Sequence, residues 1–382
     1  MPIPLAWLQL KREPVRLLIA LAGVAFAVIL VFMQLGFNDA LYRSAVRMHQ
    51  HLVADLVLIS PRSPYLATMR GFTRRRLYQA LEFDGVEAAT PVYAGLTLWK
   101  GSDTRPARMI FVSGFDPTKK AFDLPGVNAN LDKLRLPDLV LFDSASRPEY
   151  GPVATSVANG EQVTAEVGDH RVTVVGLFEL GTSFGIDGTL ITSDSTFLKL
   201  LPQRKKGLIE IGLIKLKPGV DPDAARQVLA AGLAPDVEVL TRRGYMEREK
   251  AHWAATTPIG YVFTFGSIMG LIVGGVIVYQ ILFADITAHL PQYATLKAMG
   301  YKNSYLFSVV FQEALILAVV GYLPGVVVAL WLYRITDRAT HLPLVMGCHT
   351  ALAVLALTIL MCSVAGTIAL RKVRSADPAE MF

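Results

Sequence analysis

The chain has 382 residues, 53% apolar and 18% charged, against roughly 45–50% and 25% in soluble globular domains. Its net charge is +6, yet Asn38–Lys250 carries 27 basic and 25 acidic side chains, so most of the excess lies beside apolar stretches. No basic stripe interleaved with aromatics points to nucleic acid, and with only Cys348 and Cys362 present no disulfide framework staples a domain.

In chain order, the first feature is the uncharged run Leu17–Phe37, preceded by Lys11, Arg12 and Arg16. Its 21 residues exceed the apolar core of a signal peptide, and Gln34-Leu35-Gly36-Phe37 offers no small-x-small cleavage site, so the run is read as a retained span. Three further runs follow a long insert: Pro258–Ala284, Tyr305–Leu332 and Thr350–Leu370. Each reaches the roughly 20 residues a helix needs to cross a bilayer. The expected fold class is an α-helical membrane domain of four transmembrane helices, with a large α+β extracytoplasmic domain inserted between helices 1 and 2. The expected divisions are 1–37 (an amphipathic cytoplasmic N-terminus and the first span), 38–257 (stalk helices and a two-lobed α+β domain) and 258–382. The last holds spans at 258–284, 305–332 and 350–370, with a cytoplasmic loop at 285–304.

Eight basic residues (Lys11, Arg12, Arg16, Lys297, Lys302, Arg371, Lys372 and Arg374) fall on one face of this layout, and Arg334 and Arg338 on the other. The positive-inside bias puts both termini in the cytoplasm and the insert outside.

Within the insert, Leu41, Ala45, Met48 and Leu52 continue the first span as a helix, and Glu247–Ala255 does the same into the second span, giving a stalk. The runs 55–60, 92–99, 109–112, 138–142, 172–178 and 209–216 read as strands, and 74–81, 195–201 and 222–233 as helices, the last with Asp221 as N-cap. Gly-Pro clusters near 147–152 and 158–162 place a lobe boundary around residue 150. Gly181-Thr182-Ser183-Phe184-Gly185 matches a G-x-S-x-G nucleophile elbow, but a turn and a β-branched run follow where a helix is required, so it reads as a glycine-rich hairpin loop. His49 and His51 are two apart, which on a helix aims them at different faces and argues against a metal site. No Gly is followed by Lys anywhere, so a P-loop is absent and the chain is not expected to be an enzyme or to bind a cofactor.

In the second span Gly266, Gly270 and Gly274 form two overlapping G-x-x-x-G steps, read as a transmembrane helix interface. Gly321 and Gly325 make a similar step in the third span, where Pro324 makes a kink an equal reading. Glu313 lies about 12 Å along that span, an intramembrane carboxylate that either pairs structurally or serves a proton or substrate. Between the second and third spans Ile286, Leu290, Tyr293 and Leu296 recur at helical spacing and Gly300 is a suitable C-cap, so an amphipathic helix there could meet lipid or a partner.

This loop running into Phe311-Gln312-Glu313-Ala314-Leu315-Ile316-Leu317, with Gly321 following and Arg374–Glu380 at the end, resembles the MacB/FtsX-like ABC transporter permeases over essentially the whole chain. Leu5-Ala6-Trp7, Met33–Phe37, the Gly181–Gly185 loop and Tyr293–Tyr301 are most similar to the DevC-type permease subunits. The resemblance implies a permease subunit of an inner-membrane tripartite exporter, pairing as a homodimer through its spans. A separate ABC ATPase, using ATP and Mg, would dock on Ile286, Leu290, Tyr293, Leu296, Lys297, Met299 and Gly300. Its closure would drive the stalk and outer domain, which engage a periplasmic membrane-fusion adaptor and a TolC-like outer-membrane protein, with a lipid-like cargo, glycolipid in the nearest likeness. Two rivals stay open: a lipoprotein-releasing or cell-division-regulating FtsX-like permease, and, remotely, a membrane-tethered hydrolase using Ser183.

Overall fold

A computed structural model describes residues 14–101, 105–205, 207–256, 258–288, 299 and 303–375, with backbone alone at 303–306 and 372–375. In chain order the helices are α1 Pro14–Ala45, α2 Arg47–Gln50, α3 Arg75–Leu81, α4 Pro125–Asn128, α5 Val153–Ala158, α6 Asp194–Leu200, α7 Pro222–Gly232, α8 Arg242–Thr256, α9 Pro258–Ala288, α10 Asn303–Thr340 and α11 Cys348–Ser375. The strands are β1 Leu56–Ile59, β2 Phe72–Thr73, β3 Val86–Gly101, β4 Arg108–Phe115, β5 Leu139–Asp143, β6 Val163–Val167, β7 His170–Phe178, β8 Thr189–Ser193, β9 Leu208–Ile209, β10 Ile211–Leu216 and β11 Glu238–Thr241. The described residues form two units: a membrane unit from those within 1–40, 259–337 and 344–382, and an extracytoplasmic unit from those within 41–258 and 338–343.

In the membrane unit, α1, α9, α10 and α11 are each long and apolar enough to cross a bilayer. Helix α1 is gripped by small residues on two neighbours. Gly274 of α9 lies where a Cβ would meet the Cβ of Ala27, and one at Gly270 would stand 3.3 Å from Leu30. On the other side, a Cβ at Gly321 or Gly325 of α10 would come within 2.7 Å of Val24 or Val28. Close backbone approach of this kind is how helices associate where no hydrophobic drive separates them from lipid. Tyr333 adds a polar tie, donating to the Phe32 carbonyl at 2.5 Å. Helix α10 runs through Pro324 without ending.

In the extracytoplasmic unit the strands are apolar on both faces, and alternation explains the core. Leu56 and Leu58 point to one cluster and Val57 and Ile59 to the other; Val140 and Phe142 divide from Leu141 in the same way. A sheet covered on both faces is read as continuous apolar runs, which these strands are. Nine strands form one mixed sheet, in the order β11-β1-β10-β3-β4-β8-β5-β7-β6. Only β4–β8 and β5–β7 are parallel among its described pairs. The 16-residue β3 pairs with β10 and β4 and, at Trp99–Gly101, with β6, which closes a six-strand ring.

This topology corrects two expectations. Strands from before and after residue 150 interleave as β4-β8-β5-β7, so no boundary between two lobes falls there. The Gly181–Gly185 segment is not a hairpin loop either: β5 lies between β7 and β8, so the chain crosses over it. Asp221 caps α7 as expected, accepting from the backbone N–H groups of Asp223 and Ala224.

Candidate functional site

The crossover from β7 to β8 is held from beneath by Asp143, the last residue of β5. Its Oδ1 accepts the Leu180 N–H at 2.9 Å and the Ala145 N–H at 3.1 Å, and its Oδ2 accepts the Gly181 N–H at 2.9 Å. The carboxylate is fully buried, and burial pushes it above the usual carboxyl range although these three donors and the Arg47 charge pull the other way. Ser183 then tightens the loop: its Oγ accepts from Ile186 N at 3.1 Å and Gly185 N at 3.3 Å, and its own N–H donates to the Ile186 carbonyl. The hydroxyl thus closes a turn, a backbone-binding role that needs no catalytic function.

Three segments that lead to or from the spans meet this loop inside the extracytoplasmic unit. Arg47, just beyond α1, donates from Nη1 to the Leu180 carbonyl at 2.8 Å, and its guanidinium occupies the space a Cβ on Gly181 would take. Gly181 also needs its φ of +92°, so glycine is required twice over. Trp253 of α8 packs on Gly185, where an added Cβ would stand 3.1 Å from the indole. Thr182 donates from Oγ1 to the carbonyl of Thr340, the last residue of α10, at 3.1 Å.

A buried polar cluster joins α2 to α8. Glu249 accepts from the Leu66 N–H at 3.0 Å and from the Trp253 indole N–H at 3.1 Å. The His49 Nε2 lies 3.6 Å from the same carboxylate, with its ring 4.2 Å from that of Tyr245. Both His49 and Glu249 are buried. His51 faces elsewhere, toward the Asp123 carbonyl, and no metal-holding group of His, Cys, Asp and Glu occurs among the described residues.

The other sequence-derived candidates divide. Gly266, Gly270 and Gly274 face α1 of the same chain, at Gln34, Leu30 and Ala27. Glu313 is fully buried, with the Asp285 charge acting on it, and neither of its carboxylate oxygens has a hydrogen-bond partner among the described residues. Ile286 is buried in the core of the membrane unit, which corrects its assignment as a docking side chain: at the end of α9 it faces the bundle. Met299 is exposed. Leu290, Tyr293, Leu296, Lys297 and Gly300 lie outside the described residues. Asp143, Arg47, Trp253 and Thr340 were not anticipated as a set; the one visible sign was an Asp ending the apolar strand Val140-Leu141-Phe142.

Four apolar helices with a sheet-rich domain between the first two, tied to the segments that lead to the spans, define a membrane protein with a large extracytoplasmic working domain. Residues 17–231 match the MacB-like periplasmic core domain, and 264–378 the FtsX-like permease C-terminal region. The chain belongs to the MacB/FtsX-like family of ABC transporter permeases. An uncharacterized ABC transporter permease of Mycobacterium tuberculosis is 23% identical over 86% of this chain, and another from that organism is 26% identical over 63%. The chain spans 37% and 63% of the lengths of these two relatives. Among solved structures, the periplasmic region of MacB from Actinobacillus actinomycetemcomitans is 12% identical with a TM-score of 0.34, covering 54% of this chain and 95% of its own. The extracellular domain of the noncanonic ABC-type transporter YknZ from Gram-positive bacteria is 14% identical with a TM-score of 0.33, covering 49% and 99%.

Proposed function

We propose that this chain is the permease subunit of a tripartite ABC exporter, of the DevC type, in the inner membrane with both termini cytoplasmic. It transmits the force of a separate ATPase to a periplasmic adaptor and outer-membrane duct, exporting a lipid-like cargo, with glycolipid the class favoured by the resemblance. The observation that carries this reading is the Gly181–Gly185 loop, which binds segments leading to or from three spans through Arg47, Trp253 and Thr340. A shift in any of those segments is delivered to one rigid turn anchored on β5. Mechanical transmission needs such a junction; a pore would need a polar path between the helices. ATP and Mg belong to the partner ATPase, and a permease homodimer would give each of two ATPase subunits a docking loop.

Energy enters, in this reading, at the cytoplasmic loop, through Tyr293, Leu296, Lys297 and Met299. The test is ATP hydrolysis by the partner ATPase with the full-length permease in nanodiscs. Charge or proline substitutions at Tyr293 or Leu296 should abolish permease-stimulated hydrolysis while membrane insertion is unchanged; stimulation at the wild-type level would sink the reading. Co-purification of the outer partners separates this function from lipoprotein release or control of cell division.

A further inference from the structure

Away from the glycine loop, the extracytoplasmic unit holds a cleft of about 370 Å³, within the size range of small-molecule sites. It opens between the end of β5, the turn Pro148–Tyr150, helix α5 and His341, which belongs to this unit. Its polar lining is basic and hydroxylic, from Arg105, Arg147, His341, Ser144, Ser146 and Thr155, and no carboxylate is among the described lining residues.

Each basic group is held in place by the fold. Arg105 donates from Nη1 to the Pro148 carbonyl at 3.4 Å, which ties it to the turn. The Nε of Arg147 lies 2.8 Å from Oδ1 of Asp187; a guanidinium carries five N–H donors, so one carboxylate at Nε orients the group without exhausting it. The wall itself is stiff. Pro148 and Pro152 bracket Gly151, whose φ is +99°, and the Tyr150 hydroxyl donates to the Met109 carbonyl at 2.5 Å. Gly188 makes room behind: a Cβ there would stand 2.6 Å from the Tyr150 ring and 3.0 Å from Ser146 Oγ.

Ser146 supplies an independent pointer. The residue is 7% exposed, and its hydroxyl has no hydrogen-bond partner among the described residues. A buried hydroxyl left unsatisfied is costly, and such groups call for an explanation, a bound partner being one.

We propose that this cleft binds a phosphate-bearing group, a phosphomonoester or phosphodiester. Two guanidiniums with hydroxyls around them offer donors from several directions, which suits a tetrahedral oxyanion; a planar carboxylate is satisfied by a single guanidinium fork. A neutral sugar makes no use of the two fixed charges. The same chemistry is carried by a phospholipid headgroup and by a soluble phosphate ester, and His341 directly follows the last residue of α10, so the chain leads from the cleft straight into a span.

The test uses the full-length chain in nanodiscs of a neutral, phosphate-free glycolipid, without ATPase, so that failure leaves the proposed coupling function standing. Glycerol 3-phosphate and inorganic phosphate are titrated in one arm, and phosphatidic acid is doped into the disc in the other, with succinate as the carboxylate control. Saturable binding is expected, weakened about tenfold or more in Arg105→Gln and Arg147→Gln and severalfold in Ser146→Ala. Ser146→Ala should melt at or above the wild-type temperature without added anion, because it removes a buried unsatisfied hydroxyl, which separates a binding role from a folding one. Should Arg147→Gln misfold because Asp187 loses its partner, Arg105→Gln and Ser146→Ala decide the matter. Binding of phosphatidic acid alone identifies a lipid headgroup as the source, and equal binding of glycerol 3-phosphate identifies a soluble ester. Absent saturable binding, affinities unchanged in the variants, or succinate binding as tightly as glycerol 3-phosphate would each overturn the assignment.

Discussion

Arg47 donates to the carbonyl oxygen of Leu180 at 2.8 Å, and its guanidinium lies in the only space a side chain on Gly181 could enter. One contact thus joins the segment after the first span to the crossover loop, and excludes every residue but glycine at the next position. Gly181→Ala should destabilise the extracytoplasmic unit by about 1–3 kcal/mol, since alanine must hold a positive φ and displace Arg47. Arg47→Ala should cost about 1.5–3 kcal/mol through loss of a hydrogen bond from a charged donor. Thermal unfolding of the full-length protein measures both. If transmission passes through this contact, Arg47→Ala also uncouples ATPase stimulation from adaptor movement at temperatures where the fold is intact; stimulation and movement that stay coupled would remove Arg47 from the path.

Asp143 anchors the loop from the other side, with both carboxylate oxygens accepting backbone N–H groups. Asp143→Asn keeps one acceptor and turns an NH₂ toward a backbone N–H. A donor facing a donor in a buried site costs about 1–3 kcal/mol. Asp143→Ala leaves the Leu180 and Gly181 donors without acceptors and should be at least as damaging. Hydrogen exchange at these two amides gives the direct readout: protection lost at both in Asp143→Ala and at one of them in Asp143→Asn is expected, and protection retained at both in either variant would mean that another group holds the loop.

The spans were legible because twenty uncharged residues have few alternatives, and the twin-faced strands because β-branched runs bounded by glycine and proline are a local signal. Asp221 was visible as a cap for the same reason: its partners are two and three residues away. The junction was not legible. Gly181 and Asp143 lie 38 residues apart, Arg47 and Leu180 133, and Thr182 and Thr340 158. No periodicity links such positions; only the topology that puts β8 between β4 and β5 brings them together. That topology also misdirected the reading of the loop as a hairpin, since hairpin and crossover loops share the same glycine and β-branched flanks. In the membrane, the G-x-x-x-G pattern showed that a helix must come close, without showing which one.

The glycine stripe on α9 makes that last point testable. Gly274 stands against Ala27 of the same chain. In a background without Cys348 and Cys362, the pair Leu30→Cys and Gly270→Cys, where an added Cβ at 270 would lie 3.3 Å from that of residue 30, should therefore oxidise within one chain and leave the monomer band in place. Phe26→Cys, on an exposed part of α1, should not cross-link to position 270. A ladder of cross-linked dimers would instead show that the stripe joins two copies. Gly274→Leu should destabilise the membrane unit by about 1–3 kcal/mol or more, as overpacking of a close helix pair does.

Glu210 provides a pH dependence of known sign. It is buried, its Oε1 lies 3.2 Å from Nη1 of Arg204, and its Oε2 accepts the Ala94 N–H at 3.2 Å. Burial nonetheless dominates and pushes its carboxyl up to about 7, against 4.5 when unperturbed. The folded state therefore holds this proton more tightly than the unfolded chain. The contribution of Glu210 to stability is undiminished below about pH 4.5, falls as pH rises from there through about 7, and is level above it. The full loss is at most about 3 kcal/mol for a shift of this size. Glu210→Gln cannot ionise, so it removes the fall. Its melting temperature should lie close to that of the wild type at pH 4.5 and pull ahead by pH 8, less whatever the lost pairing with Arg204 costs. Melting curves of the two proteins that stay parallel from pH 4.5 to 8 would mean that Arg204 holds the carboxylate ionised throughout.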